Sequence, residues 1–261
     1  MQQTTERRRA VISGCGALSP IGNSVAAFWE GLLNGRCGLE PIRSFDTRGL
    51  SIACAGEVKD FHPEVRLSPD EIGRLDRINQ FSLCAAREAL QDAQLDLADV
   101  DRTRVGVVLS TSLGGMLIGE AYQRAQLGGA EAFDARRLFD FPYYATANRL
   151  ARELDVRGPV VSPSIACASG TQAVGRALEL IRADQGDVFL VGGVETLCRF
   201  VVSGFNCLRA TTPEHVRPFD ARRSGLLLGE GAALLVVEAA DHAAARRART
   251  DVEVCGTGLA G

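Results

Sequence analysis

"PVVSPSIACASGTQAVGRALELI", residues 159–181, decides how this chain is read. Its first residues form an extended, valine-rich run. From Ala168 onward, Val174, Ala177, Leu178 and Ile181 fall at i, i+3, i+4 and i+7, the spacing of one helix face. A strand therefore gives way to a helix that begins at or just after Cys167 and ends before Gly186. At such a helix N-terminus, unpaired amides and the positive end of the macrodipole favour a thiolate and can face a developing oxyanion. The neighbours Ala166, Ala168, Ser169 and Gly170 are small, as a sharp turn open to a bulky group requires. Local physics leaves a second reading open, in which Cys167 is a small buried hydrophobe, as free cysteine often is.

Outward from this unit, the same alternation repeats. "RRRAVISGCG" (7–16) predicts a first strand. "NSVAAFWEGLLNG" (23–35) predicts a short helix with Val25, Phe28, Trp29 and Leu32 on one face, capped by Asn23 or Ser24 and stopped at Gly35. Ser68, Pro69 and Glu71 form a capping box with proline at the first helical position, opening a long helical region to about Asp92 with Ile72, Leu75, Ile78, Phe81, Cys84 and Ala85 inward. "RVGVVLSTS" (104–112) is an unbroken apolar run suited to a strand covered on both faces, and it ends in the flexible turn "SLGGM". A helix near "ATANRLARELDV" (145–156) and strands at "DVFLVGGVE" (187–195), "GAALLVVEA" (231–239) and "DVEVCGTG" (251–258) follow. This order predicts an α/β layered fold, a mixed, mostly parallel sheet flanked by helices, in one domain over 1–261. The last strand reads as buried, with an exposed edge beyond it.

Composition narrows the function classes. The 261 residues are 46% hydrophobic with a net charge of −3, enough apolar material for a proper core. The basic runs "RRR" (7–9) and "RRAR" (246–249) read as solvated surface, so no footprint for nucleic acid is expected. No apolar stretch approaches the roughly 20 residues of a membrane helix, and "MQQTTERRRA" has no signal-peptide core, which points to a cytoplasmic protein with no membrane partner. Eight cysteines occur without a C-x-x-C pair, so no metal site is expected and the thiols should be free. "VISGCGALS" offers G-x-G after a strand, but Ser19 stands where a dinucleotide fingerprint needs glycine or alanine, and "PIG" follows in place of a helix. P-loop and nucleophile-elbow motifs are absent.

"RGPVVSPSIACASGTQAVGRALELI" followed by "DVFLVGGVE" resembles the active-site segment of β-ketoacyl-acyl-carrier-protein synthases of the thiolase superfamily. "AVISGCGALSPIGNSVAAFWEGLLNGRCGLEPIRSFDT", "RVGVVLSTSLGGM" and "RPFDARRSGLLLGEGAALLVVE" are similar, in order, to that family's N-terminus, central strand and R-P-F-D/G-E-G-A segment. The resemblance implies the first of two pseudo-repeated thiolase-like halves, the C-terminal half being absent from this chain. It implies that Cys167 accepts an acyl group from a carrier-protein phosphopantetheine thioester, its own amide supplying half of an oxyanion hole. A carbanion made by decarboxylating a malonyl carrier would then attack the new thioester. By the same likeness Leu113 and Phe205 line or gate the acyl pocket, with ordinary core packing as the alternative for both. The implied partners are an acyl carrier protein and, in a homodimer or heterodimer, another ketosynthase-like chain; no resident cofactor is implied.

Two family features are missing. The family's histidines lie in H-G-T and K-x-x-x-G-H segments that this sequence does not contain, and its G-F-G-G loop is likewise absent. His62, His215 and His242 stand in polar, surface-like contexts and read as structural. The expectation is a half that does not condense by itself and leaves a large apolar face uncovered. A competing expectation is a non-catalytic partner of the chain-length-factor kind; those relatives usually lose the cysteine, and Cys167 is kept.

Overall fold

The computed structural model describes residues 7–128 and 132–260; the first six residues of the N-terminal segment and Gly261 lie outside the described residues. In chain order the elements are β1 (Ala10–Leu18), α1 (Val25–Leu33), β2 (Glu40–Pro41), β3 (Cys54–Ala55), α2 (Pro69–Arg74), α3 (Arg77–Asp92), β4 (Val105–Ser110) and α4 (Met116–Gln126). They continue with α5 (Ala145–Glu153), β5 (Val160–Val161), α6 (Ser169–Arg182), β6 (Val188–Glu195), α7 (Arg199–Cys207), β7 (Gly231–Ala239), α8 (Ala240–Ala245) and β8 (Val252–Glu253). One six-stranded sheet has the order β5-β4-β6-β7-β1-β8. β5 and β6 run parallel to β4, while β7 is antiparallel to β6, β1 to β7 and β8 to β1. Four of the six strands (β5, β4, β6 and β1) therefore point one way, the mixed, mostly parallel sheet expected.

Apolar side chains alternate across the sheet, and each face has its own cover. Val107, Leu109, Leu190 and Leu234 pack under α3 and α5, with Ile78, Phe81, Ala85 and Leu150. Val108, Phe189, Val191 and Val237 point the other way, onto Ala173, Ala177, Leu178 and Ile181 of α6. The result is a helix-sheet-helix stack in which β4 is buried at every residue, as its unbroken apolar run required. α3 lies directly on β1 because Gly14 and Gly16 leave room: a Cβ on Gly16 would run into the Ala85 carbonyl. Gly16→Ala is therefore expected to destabilise the chain by about 1–3 kcal/mol, read as a lower urea midpoint with an unchanged slope.

Three expectations need correction. The helical region from Ser68 is two helices: the capping box is present, but Leu75 is extended (ψ 136°) and Asp76 caps a new start by accepting from Asn79 N. The Gln80 amide bridges the break, donating to the Ile72 and Leu75 carbonyls at 3.1 and 2.9 Å. In α1 the cap is Ser24, but Trp29 and Leu32 face solvent at 60% and 47% exposure. This helix packs through Gly31, whose missing side chain lets it approach the Ile21 carbonyl. The final strand is two exposed residues and not a buried one.

The basic runs lie mostly at the surface, as read, and several of their arginines are ion-paired there. Arg8 bridges Asp184, Asp187 and Asp241, Arg9 pairs with Glu253, Arg246 with Glu238 and Arg249 with Asp92. The outward residues of α6 include Thr171, Glu179 and Arg182. Exposed apolar side chains occur instead at the end of α4 (Leu127), in the segment before α5 (Phe139, Phe141) and on α7 (Phe200). No helix among the described residues is long and apolar enough to cross a membrane.

Candidate active site

The site is built at the ends of β4 and β6, parallel neighbours whose pairing closes at Ser110 and Gly193. The β5-to-α6 connection crosses above these ends. There Ala166 takes the left-handed conformation (φ +53°), a costly position for a residue with a side chain. Ser169 pins the turn: its hydroxyl accepts from Ile165 N at 2.8 Å and donates to Ala166 O at 2.6 Å. Cys167 sits at the apex, exposed, one residue before the N-cap Ala168 of α6. The Ala168 and Ser169 amides turn back onto the Ile165 and Ala166 carbonyls at 3.4 and 3.1 Å, and the next amides of α6, those of Gly170 and Thr171, are the ones that have no intrahelical acceptor. The buried-hydrophobe alternative for Cys167 is thereby excluded.

Cys167 lines a cavity of about 410 Å³. Its wall is mostly glycine, alanine and serine, and two carboxyl groups also reach it, Glu195 from the end of β6 and Glu230 from just before β7. Glu230 is fully engaged: Arg77 Nη2 lies 2.5 Å from Oε1, Val58 N donates to Oε1 at 2.9 Å and Leu197 N to Oε2 at 3.1 Å. The same guanidinium lies 4.5 Å from the centroid of the Phe81 ring, so this pair locks the mouth of β7 to α3. Glu195 differs. Its Oε1 accepts from Thr111 Oγ1 at 3.0 Å and from Ser112 N, while Oε2 is buried without a hydrogen-bond partner among the described residues. Burial pushes the Glu195 carboxyl up, against the Ser112 and Thr111 donors, which pull it down. Neither acid stood out in the sequence, because a glutamate closing an apolar run looks like the solvent-facing end of a strand.

Leu113 lies in the turn between β4 and α4 and Phe205 on α7, both partly buried. The structure does not bring them to Cys167: neither is among the residues lining its cavity. A second cavity of about 760 Å³ opens between α4 and α7, lined by Met116, Phe141 and Phe200 among others, and it too omits Leu113 and Phe205. The histidines are elsewhere. His62 pairs with Glu64 at 3.0 Å on the surface, and His215 is exposed. His242 corrects the surface-like reading, since it lies partly buried on α8 and contacts the buried Glu238 at 2.8 Å. Among the described residues no cluster of His, Cys, Asp and Glu could hold a metal ion.

Comparison with known proteins agrees with this geometry. The family described as "Beta-ketoacyl synthase, N-terminal domain" matches residues 7–243. A 3-oxoacyl-[acyl-carrier-protein] synthase 2 of Staphylococcus aureus (strain N315) is 36% identical over 269 aligned positions, covering 98% of this chain and 64% of that protein. Among solved structures, the ishigamide ketosynthase/chain length factor superposes with a TM-score of 0.87 at 36% identity, covering 96% of this chain and 63% of that one. A type II PKS acyl-carrier protein in complex with its ketosynthase bound to the hexaketide gives 0.82 at 29%, with 96% and 63% covered. This chain thus spans slightly less than two thirds of the length of these relatives. With most of its length matched by the family and over a third of its positions identical to a relative, the chain belongs to the β-ketoacyl synthases, through their N-terminal domain.

Proposed function

We propose that Cys167 is the acyl acceptor of a β-ketoacyl synthase that works in fatty acid or polyketide synthesis. The observation that carries this reading is the placement of the sulfur: exposed, on a strained turn, at the start of α6 and at the mouth of a cavity. In the first step the sulfur attacks the carbonyl carbon of an acyl-carrier thioester. A new S–C bond forms, the carrier's C–S bond breaks, and the proton of Cys167 leaves on the carrier's thiol. The Gly170 and Thr171 amides in the first turn of α6, which have no intrahelical acceptor, would stabilise the oxyanion formed on the way. In the second step a carbanion, made as a malonyl thioester loses carbon dioxide, attacks the Cys167 thioester and frees the sulfur. None of His62, His215 and His242 stands at the Cys167 cavity to support that loss, so acyl transfer is the step these residues equip.

The carrier protein brings phosphopantetheine as part of the substrate, and the reading invokes no resident cofactor. Leu113 and Phe205 would bound the acyl pocket once a chain is loaded. An acyl carrier protein and a second ketosynthase-like chain are the proposed partners, supported by the relatives whose complexes carry those names. A non-catalytic, chain-length-factor role is the second reading, favoured by the high similarity to a ketosynthase/chain length factor. Incubation with acyl-loaded carrier protein separates the two. The acceptor reading expects a mass gain of one acyl group, mapped to the peptide that contains Cys167; no gain supports the partner role.

A further inference from the structure

The turn over Thr111–Gly115 runs between the two cavities. Thr111 and Ser112 line the one that Cys167 faces, and Met116, just past the turn, lines the apolar one between α4 and α7. From one side the turn is held by backbone contact. A Cβ on Gly114 would stand 2.6 Å from Tyr143 Cα and one on Gly115 2.9 Å from Phe141 Cα, so neither can retreat toward that segment. From the other side it is held by Glu195. Oε1 of that residue takes the Thr111 hydroxyl at 3.0 Å and the Ser112 amide, and the Thr111 oxygen in turn accepts the Gly114 amide at 3.0 Å. One carboxyl thus holds Thr111 and Ser112 directly and Gly114 through Thr111, on either side of Leu113.

Holding a carboxyl there is expensive. It is largely removed from water, and its second oxygen is buried without a partner among the described residues. An apolar side chain of similar length would avoid that cost, so what Glu195 contributes lies in the turn that it holds. We infer that Glu195 is a positioning residue: by holding Thr111 and Ser112, and Gly114 through Thr111, it fixes the Thr111–Ser112 wall of the Cys167 cavity and so sets which acyl lengths reach the sulfur, given Cys167 as the acyl acceptor.

Three variants test this in the full chain. Glu195→Gln keeps the acceptor at Oε1, Glu195→Met keeps the length without an acceptor, and Thr111→Val removes the matching donor. Uptake of butyryl and lauroyl groups from their pantetheine thioesters is followed by intact mass. Glu195→Gln should keep the parent's lauroyl-to-butyryl ratio, whereas Glu195→Met and Thr111→Val should shift it about tenfold or more in the same direction, within the roughly hundredfold that an ångström-sized misplacement can cost. A role in packing alone would slow both thioesters equally and would not distinguish Gln from Met. An unchanged ratio in Glu195→Met and Thr111→Val overturns the assignment, and if the Met variant does not fold, Thr111→Val decides. Should the parent chain take up neither thioester, the acyl-acceptor reading has failed separately. Amide exchange at Ser112 and Gly114 then decides the positioning role: faster in Met than in Gln bears it out, and equal rates overturn it.

Discussion

Glu238→Gln is expected to lower stability at neutral pH by about 3–5 kcal/mol, the cost of breaking a buried ion pair by removing one partner. Glu238 lies on β7 with no exposed surface. Its carboxylate accepts the Ser13 hydroxyl from β1, His242 Nδ1 at 2.8 Å and Arg246 through Nε at 2.9 Å and Nη2. Arg246 reaches on to the Ala93 carbonyl at 2.9 Å, so one charge ties together β1, β7, α8 and the end of α3. Burial by itself would raise this carboxyl; the bonds from Arg246, His242 and Ser13 outweigh it and bring it from 4.5 down to about 2. A carboxylate held below its unfolded value stabilises the fold fully above pH 4.5, and the benefit is lost as pH falls toward 2. That gap corresponds to roughly 3 kcal/mol for one group. Urea midpoints measured from neutral pH downward should therefore fall more steeply for the parent than for Glu238→Gln, and the two should converge in acid. A Gln variant within about 1 kcal/mol of the parent at neutral pH, the scatter of ordinary substitutions, would remove Glu238 from this role.

The same residue shows why parts of the fold could not be read from sequence. "GAALLVVEA" announced a buried strand correctly, yet nothing in it said that its glutamate turns inward, because the partners Ser13 and Arg246 come from other parts of the chain. Features that depend on neighbours within a few residues were legible: the Ser68 capping box, the all-apolar β4 and the amphipathic α6. The break at Leu75 was hidden because the inward positions keep their helical spacing across it, and only Asp76 as a second cap marks it. Trp29 misled for a different reason. Periodicity assigns the large apolar residues to the core, but α1 makes its contact through Gly31, whose importance lies in the side chain it lacks.

At the site, the strand-turn-helix unit around Cys167 followed from local pattern and was found as expected. The carboxyl lining was missed. Glu195 and Glu230 reach the cavity only because β6 ends beside β4 and because β7 begins beside Leu197 and Val58, pairings set by sheet order. Leu113 and Phe205 were placed by resemblance alone, and neither lines the cavity.

Cys167→Ser should abolish acyl uptake from carrier thioesters, a loss of about a thousandfold or more, as expected when a covalent nucleophile is removed. Exposure by itself does not explain such selectivity. Cys37, Cys207 and Cys255 are exposed as well, and a small alkylating agent should modify all four. Only Cys167 among them lines the cavity at the strand ends, so an acyl thioester should discriminate where iodoacetamide does not. The turn gives a second handle. Ala166 already occupies the left-handed region, which glycine tolerates freely and a β-branched residue resists at about 1–3 kcal/mol. Ala166→Gly should keep acyl uptake, while Ala166→Val should lose most of it and leave iodoacetamide labelling of Cys37 and Cys207 untouched. Equal acylation of Cys37, Cys207, Cys255 and Cys167, mapped by peptide mass, would mean that the thioester meets thiols at random, and the sulfur at the head of α6 would then have no special claim to be the acceptor.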